Sequence, residues 1–290
     1  MSILVTGATG QLGRLTVEAL LARGVLPAQI TATGRDVGKI SDLADRGVSV
    51  RRADFTDPRG LTEAFAGADR LLLVSTGSPV GRVAEHQNAI DAAKAAGVSL
   101  LAYTSVSHAA TDRMLLAADH RETEEYLRSS GVPFVMLRNS WYLEYYTGQL
   151  ASYLQHGTVA GSAGQGQVSA AARSEFAEAA AAVLTADGHA GAVYELGGDQ
   201  AFTLAELAAE ISAAAGRPVS YVDMPAPELA KMLADAGVPE PVAEMLADAD
   251  LGVARGELFT DSGDLRRLIG HPTKPLATAI REALAADTRQ

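Results

Sequence analysis

Three glycines, Gly7, Gly10 and Gly13, stand between the apolar run Ile3-Leu4-Val5 and a stretch whose apolar residues Leu12, Leu15, Ala19 and Leu20 recur at helical spacing. Few folds accommodate that order. A buried parallel strand must hand the chain to a tight turn. The glycines then let backbone N–H groups approach a phosphate at the start of a helix whose dipole favours an anion. Gly7, Ala8, Thr9, Gly10, Gln11 and Leu12 are therefore candidates to cradle a dinucleotide pyrophosphate. The alternative is a tight strand-to-helix turn with no ligand.

The same alternation continues to about residue 140. Apolar runs at Ile3–Thr6, Gln29–Thr33, Val48–Arg52, Arg70–Ser75, Ser99–Thr104 and Pro133–Arg138 predict strands. Helices are expected between them at Gln11–Arg23, Leu61–Ala66, Gly81–Ala96 and Leu116–Ser130. Strands joined by helices of this length imply right-handed crossovers, so the expected fold class is α/β, a Rossmann-type doubly wound parallel sheet. Beyond Trp141 the pattern loosens into an aromatic-rich helix to Gln155, a loop over Val159–Gly166, an Ala-rich helix at Ser174–Thr185 and a strand at Ala192–Leu196. Thr203 and Glu206 have the spacing of a capping box that opens a helix to about Ala215. We expect an NAD(P)-binding domain over residues 1–140 and a smaller α+β substrate-side lobe over 141–290, with a chain free to cross back to the sheet.

Composition removes several functions. The 290 residues carry a net charge of −11 with Lys and Arg scattered, which argues against nucleic acid or an anionic membrane as partner. There is no cysteine, hence no disulfide, thiolate nucleophile or zinc–thiolate cluster. The six histidines lack metal-ligand spacing, and neither a Gly-x-Ser-x-Gly elbow nor a nucleoside-triphosphate loop occurs, so no metal is expected. No apolar run is long enough to span a bilayer. A cleaved leader would also remove the glycine loop itself, so the expected location is the cytoplasm.

Further candidates follow the predicted strands, at the edge where open parallel sheets bind ligands. Arg35, with Lys39 four residues on, offers two cations for an NADP 2′-phosphate. Asp36 beside it would instead suit the ribose hydroxyls of NAD, and a merely solvated turn is the third reading. Asp54 and Phe55 are placed to meet an adenine, and Ser75, Thr76 and Gly77 a ribose. Asn139, Ser140, Trp141 and Tyr142 suit a nicotinamide carboxamide and one wall of its pocket. Tyr103 and Ser105 end the fifth strand and face the same space. Reductases of this fold class usually carry Tyr-x-x-x-Lys on the next helix, but here Leu116 and His120 hold those places. Tyr103, Ser105 and His120 are thus the candidate catalytic residues, with His120 either a donor to a ligand oxygen or a structural histidine.

The chain resembles the NmrA-like branch of the atypical short-chain dehydrogenases, in particular its quinone-reducing and triphenylmethane-dye-reducing members. The resemblance rests on Val5 to Gly13, Asp91 to Val98, Ala102 to Ser105, Leu137 to Tyr142, Val193 to Asp199 and Leu268 to Thr273. It implies an NADPH-binding reductase without the Tyr/Lys pair, with NADPH held by Gly7 to Leu12, Arg35, Ser75 to Gly77, Asn139, Ser140, Trp141, Tyr142, Leu143, Glu144 and Arg173. His120 to Glu124 also fits the branch, whereas Gly34 and Asp36 depart from it, leaving NADH open as an alternative. The expected activity is direct hydride transfer from NADPH to a small quinone or related conjugated acceptor, with no flavin. A non-catalytic NADP(H)-binding redox sensor and a triphenylmethane dye reductase are the alternatives. Oligomeric state stays open.

Overall fold

The computed structural model describes residues 1–76 and 81–287, so the expectation for Gly77 lies outside the described residues. In chain order the strands are β1 (Ile3–Val5), β2 (Ile30–Gly34), β3 (Ser49–Arg52), β4 (Arg70–Leu73), β5 (Leu100–Val106), β6 (Phe134–Asn139), β7 (Thr158–Gly161), β8 (Val193–Leu196) and β9 (Ser220–Asp223). The helices that matter below are α1 (Gln11–Ala22), α2 (Ser41–Asp45), α3 (Pro58–Phe65), α4 (Arg82–Ala95), α5 (Leu115–Ser130), α6 (Leu143–Thr147), α7 (Leu150–His156), α8 (Arg173–Thr185), α9 (Leu204–Ala215), α10 (Ala226–Asp235) and α11 (Glu240–Ala254). Two compact units form: residues 1–106, 119–139 and 173–194 make the first, and 107–118, 140–172 and 195 onward the second.

The main sheet has the order β3-β2-β1-β4-β5-β6-β8, with the pairs from β3 through to β6 all parallel. This is the expected Rossmann-type α/β sheet. Strand order reverses at β1 and β4, so their carboxyl ends mark the switch point where such sheets take ligands. Ile3, Leu4 and Val5 are all buried, because a central parallel strand is covered on both faces. One face sets Leu4, Leu71, Leu73, Leu101, Tyr103 and Met136 against Leu61 and Phe65 of α3, Ala89, Ile90 and Ala93 of α4, and Leu127 of α5. On the other, α1 packs against α8, whose Phe176, Ala177 and Ala179 to Leu184 are buried.

In the second unit β7 and β9 pair in parallel, Thr158 with Ser220 through Gly161 with Asp223. The capping box forms as expected, Thr203 accepting from the Glu206 amide while Glu206 accepts from that of Thr203. Two expectations fail. The aromatic stretch is not one helix but α6 and α7, preceded by an extended Trp141-Tyr142. Pairing explains the extended start: Ala171 donates to the Trp141 carbonyl at 3.1 Å and accepts from the Leu143 amide at 2.9 Å. The loop expected from Val159 begins instead as β7, because its partner strand lies some sixty residues on, beyond the reach of local periodicity. No described helix is long and apolar enough to cross a membrane.

Candidate functional site

The glycine loop is held by its own backbone. Gly7 has φ +62°, which favours glycine, and accepts from the Gly10 amide at 2.9 Å, while Ala8 donates to the Thr33 carbonyl at 2.8 Å. A Cβ on Gly13 would collide with the Gly7 carbonyl, so only glycine lets α1 start this close to the loop. Gly10 supplies no side-chain cap to α1. The first-turn amides of the helix are thereby left for an anion.

Thr9 also explains Gly34. A Cβ at Gly34 would lie 2.5 Å from Thr9 Cγ2, so a side chain at residue 34 would have to displace that of Thr9 from the end of β2. Local geometry gives the neighbouring Asp36 a structural task. The Asp36 carboxylate accepts from the Gly38 amide at 3.2 Å and caps the short turn Val37–Ile40. Arg35 and Lys39 are exposed, and their side chains make no hydrogen bond or ion pair with other described residues. The carboxylate is thus used by the backbone and the cations are not. Arg35→Ala is expected to weaken NADPH binding roughly tenfold to a hundredfold, the worth of one charged hydrogen bond, and NADH binding far less. Titration of both nucleotides against the variant checks this.

Past β3, Asp54 folds back on Thr56, accepting from its amide at 3.0 Å and its hydroxyl at 2.8 Å. Those two bonds hold the carboxyl below its usual range. The Phe55 carbonyl accepts from Asn88 at 2.9 Å, and its ring packs half-buried on the core.

The turn after β4 is clamped by residues whose role the sequence reading did not see. Ser75 donates from its amide to Thr104 Oγ1 at 2.9 Å, and Thr76 from its amide to His86 Nε2 at 3.0 Å. Arg82 Nε donates to the Thr76 carbonyl at 3.0 Å, and its Nη1 lies 3.3 Å from Asp119. Arg82 and His86 sit on the buried stripe of α4 with Ala89, Ile90 and Ala93. A cation and an imidazole at core positions four apart were the available signal. Burial, then the Arg82 charge, pushes the His86 pKa down to about 3, so the ring is neutral. With Nε2 accepting, Nδ1 carries the proton and donates to Thr123 Oγ1 at 3.0 Å, which donates on to the Asp119 carbonyl at 2.8 Å.

Tyr103, wholly buried, lies 2.7 Å from His120 Nδ1 and 3.5 Å from His86 Nδ1. Because His86 Nδ1 already bears hydrogen, the Tyr103 hydroxyl does not donate to it, and its short bond is the one to His120 Nδ1. Burial first, then the charge of Arg82, lowers the His120 pKa well below its ordinary value, and burial raises that of Tyr103. The pair is neutral throughout the ordinary pH range. Ser105 is committed elsewhere, donating to Glu124 Oε1 at 2.7 Å. Glu124 also receives Arg138 through Nε at 2.9 Å and Nη2 at 2.7 Å, and Arg128 at 2.9 Å. Burial raises the Glu124 pKa, but these donors outweigh it and hold the carboxyl ionised.

Asn139 closes β6, and its buried Oδ1 has no hydrogen-bond partner among the described residues. An unsatisfied buried acceptor at the ligand edge suits the NH2 of a carboxamide. Arg173 opens α8, half-buried. The first unit therefore gathers the loop, Arg35, Lys39, Asp54, Phe55, Ser75 and Thr76 after β1 to β4, and Tyr103, Ser105, His120 and Asn139 on β5, β6 and α5. Among the described residues no group of His, Asp or Glu could hold a metal ion.

Ser140, Trp141, Tyr142, Leu143 and Glu144 belong to the second unit. Ser140 donates to the Leu258 carbonyl at 2.8 Å. Leu143 is buried, and Tyr142 precedes α6 in extended conformation. Trp141 and Glu144 line a cavity of about 530 Å³ with Tyr145, Tyr146, Tyr153 and Asp250 and an aliphatic wall from α10 and α11. Sequence reading placed the aromatics together but missed Asp250, a hundred residues away.

Residues 7–187 match the NAD(P)H-binding family. The chain is 45% identical to quinone oxidoreductase 2 of Escherichia coli over 96% of its own length and 97% of that protein's. It is similar to the crystal structure of the E. coli NADPH-dependent quinone oxidoreductase complexed with NADPH, with TM-score 0.95, 44% identity and coverage of 97% and 99%. Triphenylmethane reductase of Citrobacter sp., complexed with NADP(H), gives TM-score 0.92 at 38% identity, covering 97% and 100%. The negative transcriptional regulator NmrA shares the fold, with TM-score 0.81 at 16% identity and coverage of 99% and 97%.

Proposed function

The chain belongs to the NAD(P)H-binding family, and from that premise we propose that it is an NADPH-dependent quinone reductase acting by direct hydride transfer, without flavin. The observation that carries the proposal is the orphaned, buried Asn139 Oδ1 at the carboxyl end of β6, in a chain this similar to a quinone oxidoreductase along its whole length. Bound NADPH supplies two electrons and a proton as hydride, and with one further proton from solvent the quinone leaves as hydroquinone.

The residues divide the work of holding that cofactor. The glycine loop and the first-turn amides of α1 take the pyrophosphate, Arg35 with Lys39 the 2′-phosphate, Ser75 and Thr76 a ribose, and Asn139 the carboxamide. Arg82 and His86 hold the Ser75-Thr76 turn in place. A quinone is a strong hydride acceptor, so alignment in a dry pocket does most of what is needed, and orientation alone is worth ~7–11 kcal/mol of barrier. That makes the missing Tyr/Lys pair tolerable. Tyr103 resists ionisation and Ser105 is bound to Glu124, so the final proton comes from water. The lack of cysteine fits the substrate too, since quinones add to thiolates and this chain offers none.

The 38% identity to triphenylmethane reductase supports a second reading, in which a conjugated dye accepts the same hydride. Quinone-dependent loss of NADPH absorbance, saturable in quinone, tests the first reading. Oxidation with the dye but not with quinone would select the second. NADPH binding without any turnover would select a sensor.

A further inference from the structure

Resting on the reductase reading, we propose that the aromatic cavity of the second unit holds the acceptor, admitting uncharged multi-ring quinones and excluding anionic ones, with Asp250 setting that preference. A volume of about 530 Å³ falls in the range that encloses a drug-sized ligand, more than a single quinone ring fills. The Trp141 and Tyr145 rings, their centroids 5.2 Å apart and their planes inclined at 54°, provide one aromatic wall, and Leu229, Leu233 and Leu246 an apolar one.

The polar groups are unusual. The hydroxyls of Tyr145, Tyr146 and Tyr153 make no hydrogen bond to other described groups. Burial, then the Asp250 charge, raises the pKa of each, so all three remain donors suited to quinone carbonyls. Glu144 and Asp250 are the charged residues of the lining, and no Arg, Lys or His is among its described residues. Asp250 accepts from the Ser162 amide at 2.8 Å, which fixes the carboxylate against the aromatic wall. Burial raises its pKa to about 6, and Asp223 on β9 adds further negative charge, so the cavity is anionic at neutral pH. A sulfonate or carboxylate on the acceptor would enter against that field without a counter-ion.

Trp141 is the only tryptophan of the chain, so its fluorescence reports occupancy without turnover. The full chain, free of nucleotide near neutral pH, is titrated with 2-(hydroxymethyl)anthraquinone and with anthraquinone-2-sulfonate. The neutral compound should quench saturably, and the sulfonate should bind about tenfold more weakly or worse. In Asp250→Asn, which keeps an oxygen for the Ser162 amide, the ratio between the two should fall to within about threefold. Equal affinities in the native chain, an unchanged ratio in the variant, or no quenching by the neutral compound would each overturn the proposal. NADPH oxidation by quinone in the same preparation is read separately. It shows whether the reductase reading survives when the cavity assignment does not.

Discussion

Glu124→Ala should lower folding stability by roughly 3–5 kcal/mol, the usual result of breaking a buried ion pair by removing one partner. Glu124 is 1% exposed and satisfies Arg138 through two bonds, Arg128 through one and the Ser105 hydroxyl through another. Removing its carboxylate takes both of those charged bonds from a guanidinium that is itself largely buried. A loss of that size corresponds to a Tm lower by on the order of ten degrees for a chain of this length. Arg128→Ala is the control. Its side chain is 41% exposed, so it should cost no more than about 1 kcal/mol. Denaturant unfolding of both variants decides the matter. Equal losses would mean that Glu124 contributes only as a surface ion pair does.

Gly13→Ala is the second large effect. The added methyl would lie inside contact distance of the Gly7 carbonyl and of Ala8 Cα, both backbone atoms of the loop, so no side-chain rotation relieves it. Either α1 retreats or the loop deforms, and both move the first-turn amides. Overpacking at rigid backbone typically costs about 1–3 kcal/mol. Where that strain falls on the bound geometry, NADPH affinity drops roughly tenfold to a hundredfold. Nucleotide titration of the variant, with its unfolding curve beside it, separates lost binding from lost fold. Unchanged affinity would remove the glycine loop from the cofactor site.

The parts legible in the sequence were those written locally. Strand, glycine turn and helix occupy adjacent residues from Ile3 to Ala22, and the Thr203–Glu206 box needs only its own four residues. At Arg35-Asp36 the capping of the Val37–Ile40 turn by the carboxylate was also local, but visible only once that turn was in place. What stayed hidden depends on partners brought from afar. His86 reads as a lone histidine until Thr76 and Thr123 flank its two ring nitrogens. Ser105 reads as a ligand-facing hydroxyl until Glu124, nineteen residues on, claims it. The cavity draws its walls from α6, α7, α10 and α11, so neither Asp250 nor its relation to the tyrosines has a signature in any one segment.

Steady-state oxidation of NADPH by a quinone, measured on protein whose absorbance spectrum shows no flavin and repeated with NADPH deuterated at the transferred C4 position, tests the central claim most directly. Saturable, quinone-dependent turnover that deuterium slows is the result expected of direct hydride transfer. Tight NADPH binding with no turnover above the uncatalysed rate, or turnover that requires added flavin, would contradict it.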